Sequence, residues 1–77
     1  MRAKAKIMSD MVFFYIPRAF DDMYIPGEVV AVVADGKLIA GKVIRRGKSK
    51  YVVVSKKFAD VIKEGEEYEI KKVGLHV

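Results

Sequence analysis

The stretch Arg45-Arg46-Gly47-Lys48-Ser49-Lys50 sets five cationic or hydrogen-bonding side chains around one glycine, the densest charge in the chain. Side chains of these types at a tight turn suit a polyanion. Ammonium groups neutralise phosphate, and a guanidinium can also donate two parallel hydrogen bonds to the edge of guanine. Arg45 and Arg46 are therefore the candidates for reading bases, and Lys48 and Lys50 for holding phosphates. The same turn would also serve as a charged, solvated edge that discourages sheet-to-sheet aggregation. The overall balance weighs for binding: a net charge of +5 and a pI near 9.6 attract polyanions over several ångströms, so nucleic acid is the first partner to expect.

Other chemistry is poorly supplied. The chain has no cysteine, which removes disulfides and thiolate metal sites. Its single histidine, His76, sits beside the carboxyl terminus, where a lone imidazole is a surface group rather than a base or ligand. Asp21-Asp22 are adjacent and would point in different directions on a helix, and Asp22 recurs as Asp60 on a helix flank. Glu64, Glu66, Glu67 and Glu69 alternate with Tyr68 and Ile70 as the outer face of a strand. Gly47-Lys48-Ser49 lacks the upstream glycine and spacing of a phosphate-binding P-loop. We expect no enzyme, no cofactor and no metal. Phe13, Phe14, Tyr15 and Tyr51 offer ring faces on which single-stranded bases could stack, but an aromatic run in a central strand is expected to be core.

The elements that must position the basic turn follow from periodicity. Ala3–Met8 and Met11–Ile16 read as strands joined by Ser9-Asp10, and Pro17 ends the second. Arg18–Tyr24 carries Phe20, Met23 and Tyr24 at the spacing of a short amphipathic helix, which Pro26-Gly27 terminates. Glu28–Ala34 is a β-branched strand ending in the turn dipeptide Asp35-Gly36. The order then repeats: Leu38–Arg46 as a strand, the basic turn, Tyr51–Val54 as a strand, Ser55 as a helix N-cap and Lys56–Lys63 as a helix with Phe58, Val61 and Ile62 inward. Gly65 precedes the alternating strand Glu67–Val73.

The repetition is residue by residue. Phe20, Asp22, Gly27 and Glu28 recur 38 positions on (58 minus 20) as Phe58, Asp60, Gly65 and Glu66, and Arg18 recurs as Lys56. A period of this size suits a supersecondary unit. We read one domain over 1–77, built from a duplicated strand-strand-helix-strand unit at 1–36 and 39–74. Seventy-seven residues bury only a thin core, and two-turn helices are too short to cover a parallel sheet. The expected fold is thus mainly β, a small closed six-stranded β-barrel with two short helices.

The second unit, GKSKYVVVSKKFADVIKEGEEYEIKKV, resembles the AbrB/SpoVT/MazE family of swapped-hairpin DNA-binding domains. Tyr15-Ile16-Pro17-Arg18 and Pro26-Gly27-Glu28 match the same pattern in the first unit, and the matches cover about two thirds of the chain. In that family single units pair as homodimers, whereas here both units lie in one chain. This suggests a fused dimer or a relative among the cradle-loop barrels of the double-psi and RIFT types. The resemblance implies a transcriptional regulator binding double-stranded DNA through the basic hairpin and the helix starts. On this sequence those positions are Arg45, Arg46, Lys48 and Lys50 with Lys56 and Lys57 beside them, and Arg18 in the first unit. Ser9-Asp10 would repel phosphate, so symmetric reading of DNA would take a homodimer. The alternative is a cradle-loop barrel whose groove binds a small molecule or a protein partner. No apolar run reaches the roughly 20 residues of a membrane span, and the amino-terminal MRAKAKIMSD lacks a signal-peptide core. A cytoplasmic protein is expected, and a composition rich in Lys, Glu, Val, Ile and Tyr leans towards an archaeal or thermophilic source.

Overall fold

Alternation of apolar and polar residues decides which face of each strand turns inward. In the computed structural model, which describes residues 1–73, the strands are β1 (Arg2–Met8), β2 (Met11–Ile16), β3 (Val29–Ala34), β4 (Lys37–Arg46), β5 (Ser49–Ser55) and β6 (Glu67–Lys72). All neighbouring pairs are antiparallel, and the sheet closes on itself in the order β1-β2-β5-β4-β3-β6. The expected six-stranded barrel is therefore present. Closure pairs every strand on both sides and leaves no lateral edge to template aggregation.

The barrel interior is filled by every second residue. Val12, Phe14 and Ile16 of β2 point in with Val52 and Val54 of β5, Val30 and Val32 of β3, Val43 of β4 and Ile70 of β6. Phe14 meets Tyr68 edge to face at 6.1 Å between ring centroids, and burying such a side chain stabilises by about 1.5–3 kcal/mol. Among the described residues no charged residue is fully buried, and the Tyr24 phenol is the one polar side-chain group within the buried core.

The two connections expected as amphipathic helices are six-residue 3₁₀ segments, Arg18–Met23 and Lys56–Val61. At three residues per turn, position i+4 turns away from i and i+3, so the i, i+3, i+4 set read from the sequence cannot form one α-helical stripe. Phe20 is half-buried and Tyr24 buried, while Met23 is 53% exposed; Phe58 is 38% exposed, and Ile62 beyond the second segment is buried. The apolar residue just after each segment is thus the one that reaches the core. Ser55, expected to cap a helix, is the last residue of β5, paired with Met11, and directly precedes the second segment.

Pairing registers recur at the offset seen in the sequence. Ala5↔Phe14 between β1 and β2 has its counterpart in Val43↔Val52 between β4 and β5, and Arg2↔Glu69 has its counterpart in Ala40↔Ala31. Turn hydrogen bonds follow suit: the Gly27 N–H donates to Val43 O at 2.7 Å, and the Gly65 N–H to Ala5 O at 2.8 Å. Both glycines have positive φ, 95° and 87°, which a side chain would strain.

The wall is tightest at Gly41 of β4. A Cβ there would lie 2.6 Å from Val52 Cγ1 and 3.3 Å from Val54 Cγ2, and valine side chains have little rotameric freedom to move aside. Gly41→Ala is expected to destabilise the protein by about 1–3 kcal/mol through overpacking, measured by urea denaturation.

Candidate functional site

The β2–β5 pairing decides which basic groups meet. It is antiparallel and runs from Met11↔Ser55 to Ile16↔Lys50. The end of β2 therefore lies beside the start of β5, and the first 3₁₀ segment leaves the barrel next to the second hairpin. The converse holds at the other end, where the Lys56 N–H donates to Asp10 O at 3.2 Å. Each 3₁₀ segment thus serves the hairpin of the other half. Arg18 joins Arg45 and Lys48 around a polar depression of about 400 Å³, with Asp21 and Asp22 on its wall. Lys56, expected beside the second hairpin, stands at the first, against the Ser9-Asp10 tip, and Lys57 follows it there with its Nζ 5.4 Å from the Phe58 ring centroid.

Arg45, Arg46 and Lys48 are exposed. The Arg45 Nε donates a long hydrogen bond to Gly47 O at 3.4 Å, a weak restraint. Arg46 folds back so that its guanidinium carbon lies 5.8 Å from the centroid of Phe13.

Lys50 has a different position from its neighbours. It continues the inward alternation of Val52 and Val54 at the barrel mouth, and its side chain is only 13% exposed. Its Nζ donates to Asp21 O and Tyr24 O, both at 2.8 Å, and lies 3.5 Å from Asp21 Oδ2. These contacts commit the ammonium to holding the first 3₁₀ segment against the barrel, and with it Arg18. They also partly neutralise Asp21, one of the two acids on the wall of the depression, the other being Asp22.

A second lysine completes the clamp. The Lys72 Nζ lies 3.1 Å from Glu28 Oε2 and 4.8 Å from the Tyr24 ring centroid, and Glu28 Oε1 accepts from the Ile25 N–H at 3.0 Å. Burial raises the Tyr24 phenol above its ordinary value, only partly offset by the Lys72 charge, with Glu28 adding to the rise. Burial would also raise Glu28, but the Ile25 N–H and the Lys72 ammonium together outweigh it and hold the carboxyl below its ordinary value. At the same offset the other half has Val12 and Ala34 in place of Lys50 and Lys72, so it carries no such pair of cations. Sequence reading missed this clamp. Its only signal was a lysine at an inward position of an otherwise apolar alternation.

The aromatic run divides between two faces. Phe14 is core, as expected; Phe13, Tyr15 and Tyr51 turn to the outer side of the wall, where Phe13 is still buried, Tyr51 is half-buried and Tyr15 is 47% exposed. The acids Glu64, Glu66 and Glu67 are exposed and Glu69 half-buried, and no metal-holding group of three such ligands occurs among the described residues. His76 lies outside the described residues. No helix among them is long and apolar enough to cross a membrane. Comparison with known proteins gives no match to a family model, to a curated protein or to a solved structure.

Two measurements test the clamp. Lys50→Met, which keeps the stem and removes the donors, is expected to cost about 1–3 kcal/mol of stability in urea denaturation, whereas Arg45→Met leaves stability unchanged. Because Glu28 titrates lower folded than unfolded, its contribution is present above the ordinary value of 4.5 and is lost as pH falls below it through the folded value. Glu28→Gln is therefore expected to flatten the acid limb of the melting temperature against pH below about 4.5.

Proposed function

We propose that this chain is a non-enzymatic, AbrB-like DNA-binding barrel, built by duplication of one strand-strand-turn-strand unit and acting in the cytoplasm as a transcriptional regulator. The recurrence of residues, registers and turn hydrogen bonds at one offset supports the duplication. The observation that carries the binding role is the meeting of Arg18 with Arg45 and Lys48 around one polar depression beside an exposed hairpin tip.

In this reading the tip of the second hairpin enters a groove of double-stranded DNA. Lys48 and Arg18 neutralise phosphates, and Arg45 and Arg46 have the donor geometry to read guanine edges. Lys50 does not touch DNA; it fixes the distance between Arg18 and the hairpin. Lys56 and Lys57, with Asp10 beside them, supply a weaker basic edge at the far end. One chain thus offers one strong hairpin, and a palindromic site is read by a homodimer that presents two.

Binding of a mixed-sequence DNA duplex at low salt, followed by fluorescence anisotropy, tests this. Arg45→Ala and Lys48→Ala are each expected to weaken binding severalfold and to reduce the slope of log K against log salt by about 0.9 for every phosphate no longer neutralised. Absence of duplex binding at low salt would overturn the proposal.

A further inference from the structure

The outer face of the β1–β2–β5–β4 wall departs from the polar surface that a small soluble barrel ordinarily shows. Outward positions fall into rows fixed by the register. One row runs Lys6, Phe13, Val53, Lys42 across the four strands, and the next sets Tyr15 beside Tyr51 and Ile44. The Tyr15 and Tyr51 rings meet at 5.8 Å with 64° between planes, and Phe13 meets Tyr51 edge-on at 6.1 Å and 85°. Edge contacts of this kind fix the rings relative to one another, and Tyr15 remains 47% exposed. Lys4, Lys6, Phe13, Tyr15 and Tyr51 line a groove of about 430 Å³.

Cations border the aromatics on both sides: Lys4 and Lys6 along β1, Lys42 on β4, and Arg46 over the Phe13 ring. Glu64 is the acid in the groove wall, and one of its oxygens accepts from the Ile7 N–H at 3.3 Å. An exposed tyrosine ring and a half-buried one between rows of cations select the occupant. A DNA duplex keeps its base faces stacked inside and could use only the lysines. A protein partner would have to bury several lysines, which interfaces avoid. A second copy of the chain docked face to face would bring these same cations together.

We propose that this face binds a single-stranded polynucleotide, its bases stacked on Tyr15 and Tyr51 and its phosphates held by Lys4, Lys6 and Lys42. Lys4 and Lys6 project from the same side of β1 about 7 Å apart, so they can serve different phosphates of an extended strand. The surface shares only Arg46 with the hairpin site, so the two stand or fall separately.

Labelled oligo-dT and oligo-rU of about 12 nucleotides, within the usual site size for such surfaces, are titrated by anisotropy at low salt while tyrosine emission is followed. Binding with quenching is expected, with the DNA and RNA arms identifying which strand is preferred. Tyr15→Ala is expected to weaken binding about 5- to 100-fold, and Tyr15→Phe to retain it, because stacking uses the ring and not the hydroxyl. Lys4→Ala with Lys6→Ala is expected to reduce the salt slope by about 0.7 for each phosphate released, and Arg45→Ala with Lys48→Ala to leave single-strand binding within about twofold. Far-UV circular dichroism melts confirm that each variant folds. Wild-type affinity in a folded Tyr15→Ala variant, or no single-strand binding at low salt, would overturn the proposal. So would a dimer, seen by sedimentation, that seals the Tyr15 face and persists with the oligonucleotide present.

Discussion

The antiparallel pairing of β2 with β5 is the constraint on which the rest of this barrel depends. It is a seam between the two halves of the chain, six residues long and without a bulge in its register. Inward it places Phe14 beside Val52 and Val12 beside Val54, among the most deeply buried side chains in the protein. Outward it sets Tyr15 against Tyr51. At each end it hands a 3₁₀ segment to the hairpin of the other half. A slip of β2 by one residue against β5 would turn Phe14 to solvent and Tyr15 into the core, so burial on one face enforces the geometry of both.

Within that frame the halves have been given different work. Around the first 3₁₀ segment, Lys50 and Lys72 reach in from β5 and β6 and meet backbone carbonyls, a carboxylate and a ring face. Around the second, the equivalent need is met by a neutral group: the Lys63 N–H donates to the Tyr68 hydroxyl at 2.7 Å, where its counterpart Ile25 N–H donates to a carboxylate. Hydrogen bonds with a charged partner are as a class about twice as strong as neutral ones. The first segment is accordingly the better fixed platform, and it is the one that carries Arg18 to the basic hairpin.

The basic excess of the chain is distributed over two surfaces of different chemistry. The hairpin tip and the Arg18 depression are polar and suit phosphates and base edges. The outer wall places rings between lysines and suits unpaired bases. Arg46, with its backbone on the hairpin and its guanidinium over Phe13, lies between them. Each surface takes its chemistry from its own side chains, on a fold that by itself carries no function.

By itself the sequence determined the strand-rich class, the closed barrel and the turns, because those rest on local properties: period-two alternation, β-branched runs, and Ser9-Asp10, Asp35-Gly36 and Gly47-Lys48 between strands. It also determined which half holds the basic hairpin. It did not yield the 3₁₀ character of the connections, since six residues between a strand end and a turn leave too little chain for its period to be read. Nor did it show that Arg18, rather than Lys56 and Lys57, stands beside Arg45 and Lys48, that Lys50 is a clamp, or that Tyr15 and Tyr51 share an open face. Those facts follow from the register of β2 against β5, a contact between segments far apart in the chain. Only the closing of the barrel decides such a contact, because its energy lies in the packing of residues that are not neighbours in sequence.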